Sequence, residues 1–113
     1  MPSRQQELLS LFLRLAPIEG VSHAERAIAD EVTTILRRGG VRVLEDDAAG
    51  IVKGNAGNLL CFPPSFDGQA PAIVLEAHLD TVQSTAFLRP LVKEDRVTSD
   101  GTTILGADNR MGL

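Results

Sequence analysis

A chain of 113 residues that is 43% hydrophobic and 23% charged has the make-up of one ordinary folded domain, neither disordered nor fibrous. Its formal charge of -4 argues against nucleic acid or an acidic membrane as partner, since either would need a basic face. One cysteine, Cys61, excludes an internal disulfide, and neither a signal peptide nor a membrane-length apolar run is recognisable, so a cytoplasmic protein is expected.

Ser3-Arg4-Gln5-Gln6 has the form of a capping box, a hydroxyl followed three residues later by Gln. Behind it Leu8, Leu9, Leu11, Phe12, Leu13 and Leu15 predict a helix from about Arg4 to Ala16, ended by Pro17. Ser22-His23-Ala24-Glu25 repeats the capping-box form ahead of Ala27, Ile28, Val32, Ile35 and Leu36, and Gly39-Gly40 stop this second helix. His23 falls in its first turn, where exposure is the default, and is given no role.

Val41 to Glu45 alternates as a strand, and Asp46 to Gly50 reads as a solvated loop, not a metal site, because no third ligand lies at useful spacing. Gly54-Asn55-Ala56-Gly57 lacks the spacing and the following helix of a phosphate-binding turn, so a hairpin connection is expected there. Asn58 to Phe62 is the next strand, with Cys61 as a small core residue. Ile73-Val74-Leu75, introduced by Pro71, predicts a strand running to Ala77 and buried on both faces in the middle of a mostly parallel sheet.

Such strands carry chemistry at their C-terminal ends, and here the run leads into His78-Leu79-Asp80. Strand alternation puts His78 and Asp80 on one side and Leu79 on the other. An imidazole beside a carboxylate suits a metal site, where the second ring N-H of a ligating histidine is held by an acid. The same pair also reads as a strand-end histidine next to a turn-starting aspartate, and residue types alone leave both readings open.

Phe87 to Lys93 and Arg96 to Thr98 predict two short extended pieces around Glu94-Asp95, with Pro90 marking an edge. Asp100 to Thr103 is a turn. Gly106 and Ala107 leave room for close backbone approach before Asp108, which reads equally as the N-cap of a new helix or as a ligand. Leu113 comes at about the first turn of that helix, so the chain is expected to be part of a longer one.

With His78-Leu79-Asp80-Thr81-Val82 and Ser99 to Gly112, which reads Ser-Asp-Gly-Thr-Thr-Ile-Leu-Gly-Ala-Asp-Asn-Arg-Met-Gly, the sequence resembles the co-catalytic zinc exopeptidases. That family includes peptidase T, carboxypeptidases and the acetylornithine and succinyl-diaminopimelate deacylases. The Asp-Gly-Thr-Thr lead-in and the loop from Asp46 to Asn58 look most like the peptidase T branch.

The resemblance implies a three-layer αβα domain of α/β class, of which residues 1 to 113 would be the N-terminal part, with a mixed sheet flanked by helices. It implies two zinc ions, His78 binding one and Asp108 bridging both, with Asp80 the catalytic-site acid that orients His78. Manganese or cobalt would also suit these ligand types. Asn109 and Arg110 stand where the family often has Asp and Lys. The implied activity is a peptidase T-like aminopeptidase acting on short peptides, as a homo-oligomer or not. A deacylase or carboxypeptidase of the same family, and a short non-catalytic α/β protein, are the rival readings. The family's general base, further ligands and lid or dimerisation domain come from later sequence, so these 113 residues alone are expected to be inactive.

Overall fold

The computed structural model describes all residues from Met1 to Leu113. The chain is mixed α/β, in the order α1 (Arg4–Leu15), α2 (Arg26–Arg38), β1 (Arg42–Glu45), α3 (Ala48–Val52), β2 (Leu59–Phe62), β3 (Pro90–Val92), β4 (Val97–Ser99) and α4 (Ala107–Arg110).

The capping box of α1 forms as expected: Ser3 N-H donates to Gln6 Oε1 at 2.7 Å and Gln6 N-H to Ser3 Oγ at 3.3 Å. The one expected for α2 does not. Ser22 turns its hydroxyl to Asp80, and Glu25 accepts from the His23 N-H at 2.9 Å. A distant residue takes over part of the capping, as Asn55 Oδ1 accepts the Arg26 N-H at 3.0 Å. His23 is exposed, with φ of 71°, and its Nδ1 lies 3.0 Å from the Val52 carbonyl oxygen.

β1 and β2 form an antiparallel pair with Val43 opposite Cys61, and α2 packs on this hairpin. Residues 48 to 52, read as loop, form the short helix α3, which opens where the Asp46 carboxylate accepts the Ala48 N-H at 3.1 Å. The same carboxylate accepts the Asn58 N-H at 2.7 Å and Asn58 Nδ2 at 2.9 Å, closing the connection into β2. Gly57 is needed there, because a Cβ would collide with the Asp46 carbonyl oxygen. Cys61 is exposed and not in the core, whereas Val43 opposite it on β1 is buried.

The core lies between the two long helices. Leu15, Ile28 and Val32 are buried together, and Leu11, Ile18, Leu36, Leu59 and Leu79 pack around them. Side chains of this kind contribute roughly 1.5–3 kcal/mol each when fully buried.

The central strand expected at 73 to 77 is absent, and this is the main correction to the reading of the sequence. Ile73, Val74 and Leu75 are 85–92% exposed and belong to no sheet. A strand buried on both faces needs neighbours on both edges to take its N-H and C=O groups. The four strands present pair two by two, β1 with β2 and β3 with β4, and none of their remaining free edges is paired with residues 73 to 77. β3 and β4 form the expected hairpin, closed by the Lys93 N-H to the Arg96 carbonyl at 2.8 Å, with Pro90 as the first residue of its strand. No helix is long and apolar enough to cross a membrane.

Candidate functional site

The site is assembled on the connection between α1 and α2, over which the segment from 79 to 88 is laid. Thr81 N-H donates to the Gly20 carbonyl at 2.9 Å, and Val21 and Thr81 form a parallel bridge. The buried Thr85 hydroxyl donates to the Ile18 carbonyl at 3.2 Å, and the Glu19 carboxylate accepts the Ala86 N-H at 3.2 Å and the Ser84 hydroxyl. These bonds give the His78-Leu79-Asp80 segment a fixed floor although its own upstream run is unpaired.

On that floor His78 and Asp80 meet as alternation predicts, with Nδ1 at 3.1 Å from Oδ1. The other carboxylate oxygen of Asp80 accepts the Ser22 hydroxyl. The Ser22 bond, and after it the imidazole, hold the Asp80 carboxyl below the usual carboxylate range against a partial burial that pushes the other way. Asp80 is therefore an anion fixed on both sides. With Nδ1 as the donor to that anion, His78 keeps Nε2 as an acceptor, and its side chain is 62% exposed.

Asp108 reaches this region through its backbone, its carbonyl accepting the Val82 N-H at 3.2 Å. It is exposed and sits inside α4 with non-helical φ and ψ of -98° and 96°. The helix starts instead from Gly106, so the N-cap alternative for Asp108 does not hold. Gly106 has φ of 89°, and a Cβ there would stand 3.0 Å from Thr85 Cγ2, which is the close approach expected of it. The structure thus joins His78 to Asp80 directly and ties Asp108 to the same loop through main chain. No three His, Cys, Asp or Glu side chains converge as a ready metal cage.

Two residues of the site were missed in the sequence. Ser22 was hidden by its resemblance to a cap. Arg110 stands out in the second motif but its role there is not legible; its Nε donates to the Leu79 carbonyl at 2.5 Å and its Nη1 to the Ile18 and Leu15 carbonyls at 2.8 and 3.4 Å. Burial pulls its pKa below the usual arginine value, while Glu19 and Asp80 act in the opposite direction.

The fold is that of an α/β unit resembling the N-terminal part of PepT-like peptidases. The chain is similar, at a TM-score of 0.85 and 39% identity, to a tripeptidase from Staphylococcus aureus, with 97% of this chain and 30% of that one covered. Its likeness to aminopeptidase PepT from Bacillus cereus has a TM-score of 0.79 and 33% identity, over 94% of this chain and 28% of that one. The uncharacterized protein YqjE of Bacillus subtilis is 37% identical over 109 residues, 96% of this chain and 29% of the relative. The chain therefore spans about three-tenths of the length of the relatives it matches. No family model matches it. These neighbours support a relationship to peptidases, and so to hydrolases.

Proposed function

We propose that residues 1 to 113 form the N-terminal part of the catalytic domain of a zinc-dependent exopeptidase that removes N-terminal residues from short peptides in the cytoplasm. The observation that carries this reading is the 3.1 Å His78 to Asp80 bond, standing on a fold shared with a tripeptidase at a TM-score of 0.85. Donor chemistry supports it. An imidazole whose Nδ1 is engaged by a fixed carboxylate has Nε2 left for a metal, and Asp108 adds an exposed carboxylate on the adjoining segment.

In this reading His78 and Asp108 hold metal, Asp80 orients His78, and Ser22 holds Asp80. Zinc held there would supply Lewis acidity toward a water and a peptide carbonyl. Catalytic zinc needs about three protein ligands besides its water, so the remaining ligands, the general base and any lid or dimerisation domain would belong to sequence beyond these residues. The neighbours are an aminopeptidase and a tripeptidase, which favours N-terminal trimming over deacylation or carboxypeptidase action.

The test is a chimera in which residues 1 to 113 replace the matching 30% of the S. aureus tripeptidase. With zinc it should cleave a tripeptide, and His78→Ala should lower turnover by at least about 10-fold, while the 113-residue chain alone cleaves nothing. A folded chimera that binds zinc and leaves peptides intact would contradict the proposal.

A further inference from the structure

Two segments carry the candidate ligands, and one side chain joins them. Arg110 lies two residues after Asp108 at the end of α4, and its Nε holds the carbonyl of Leu79, the residue between His78 and Asp80. The rest of its fork reaches two further carbonyls, of Ile18 in the α1–α2 connection and of Leu15 at the end of α1. Carbonyls of a last helical turn lack intrahelical donors, and a cation is favourable there. Its remaining nitrogen, Nη2, is buried without a partner over Gly20, where a Cβ would overlap it. A planar fork pressed on a bare α-carbon, with one NH2 nitrogen left unsatisfied, is a costly arrangement for a side chain whose own helix has four residues. What it secures is the backbone between His78 and Asp80.

Resting on the reading of His78 as a metal ligand, we infer that Arg110 is a positioning residue of the metal site. Its guanidinium, seated on Gly20, pins the His78-Leu79-Asp80 backbone to the α1–α2 connection and links it to the segment bearing Asp108. Lysine would not replace it, because a single ammonium does not span three carbonyls from three segments with a rigid fork.

The test uses the chimera of residues 1 to 113 with the S. aureus tripeptidase, carrying Arg110→Met, Arg110→Lys or Gly20→Ala, the last of which sets a Cβ against the guanidinium and also 2.8 Å from Ile28 Cγ2. Two quantities are read: the Co2+ dissociation constant from spectral titration, and exchange of the Thr81 amide compared with amides of the β1–β2 hairpin. Arg110→Met should weaken Co2+ binding by about 10–100-fold and speed Thr81 exchange, with hairpin protection kept. Arg110→Lys should recover only part of the affinity, and Gly20→Ala should reproduce the loss. If Arg110→Met also unfolds the hairpin, Arg110→Lys, which adds no atom against the core, decides. Wild-type affinity and wild-type Thr81 exchange in these variants would overturn the inference. A parent chimera that takes up no Co2+ would instead contradict the metal reading, and Thr81 exchange alone would then decide the role of Arg110.

Discussion

Residues 3 to 62 and residues 63 to 113 are built on different terms. The first stretch contributes Leu15, Ala16, Gly20, Ile28, Ala29, Val32, Val43 and Gly57 to the buried set, two helices longer than ten residues, and a hairpin with a helix over it. The second contributes Thr81, Thr85, Leu88 and Gly106, and these sit against the first stretch or the loop it supports. Its most apolar run, Ile73-Val74-Leu75, is its most exposed. A groove of about 490 Å3 between α1 and the C-terminal segment, lined by Leu8, Leu9, Phe12 and Met111 among others, is likewise open. Hydrophobicity therefore does not say where a segment is buried; the availability of pairing neighbours does.

Mutations should break this symmetry of composition. The largest effect is expected at the fully buried Ile28, where Ile28→Ala should cost about 2–5 kcal/mol in urea unfolding. Next, Ser3→Ala removes a formed cap and should cost about 0.5–2 kcal/mol, seen as faster amide exchange in the first turn of α1. Ser22→Ala should leave the first turn of α2 unchanged and instead let the Asp80 carboxyl rise toward its ordinary range, because the hydroxyl serves Asp80 and not the helix.

A smaller term depends on pH. The bidentate Arg26 ion pair, helped by the Gly57 N-H, lowers the Glu45 carboxyl from the ordinary 4.5 to about 2. A depressed carboxyl stabilises the fold above its unfolded pKa, so this contribution is present above pH 4.5 and fades as pH falls toward 2. With both side chains about a third exposed, it should amount to about 1 kcal/mol or less, and Glu45→Gln should flatten the melting temperature over that window. Smallest of all, Val74→Ala should change stability by no more than about 0.5 kcal/mol. Val74→Lys should lower the light scattering of the chain, since an exposed apolar run favours association.

Much of the first region is legible in sequence because its signals are local. The Ser3 to Gln6 box, the apolar spacing of α1 and α2, Gly39-Gly40 and the β1–β2 alternation each act within a few residues. The failures share a cause, which is competition from a distance. Ser22 is taken from its helix by a residue 58 positions away, and Asn55 caps a helix 29 positions away. The run at 73 to 77 carries a strand pattern but finds no strand to pair with. At the candidate site, the His78 and Asp80 geometry follows from alternation over two residues, whereas Arg110 is recognisable only once Leu15, Ile18 and Leu79 are brought together.

The central claim is that His78, oriented by Asp80, is a metal ligand. The most direct test is 15N NMR of the histidine ring nitrogens in the chimera with the S. aureus tripeptidase during zinc titration. The account predicts that His78 carries its proton on Nδ1, toward Asp80, and that zinc shifts the Nε2 resonance of His78 while His23 stays in place. Zinc shifts confined to His23, or a His78 whose Nδ1 is unprotonated and whose Nε2 ignores zinc, would contradict it.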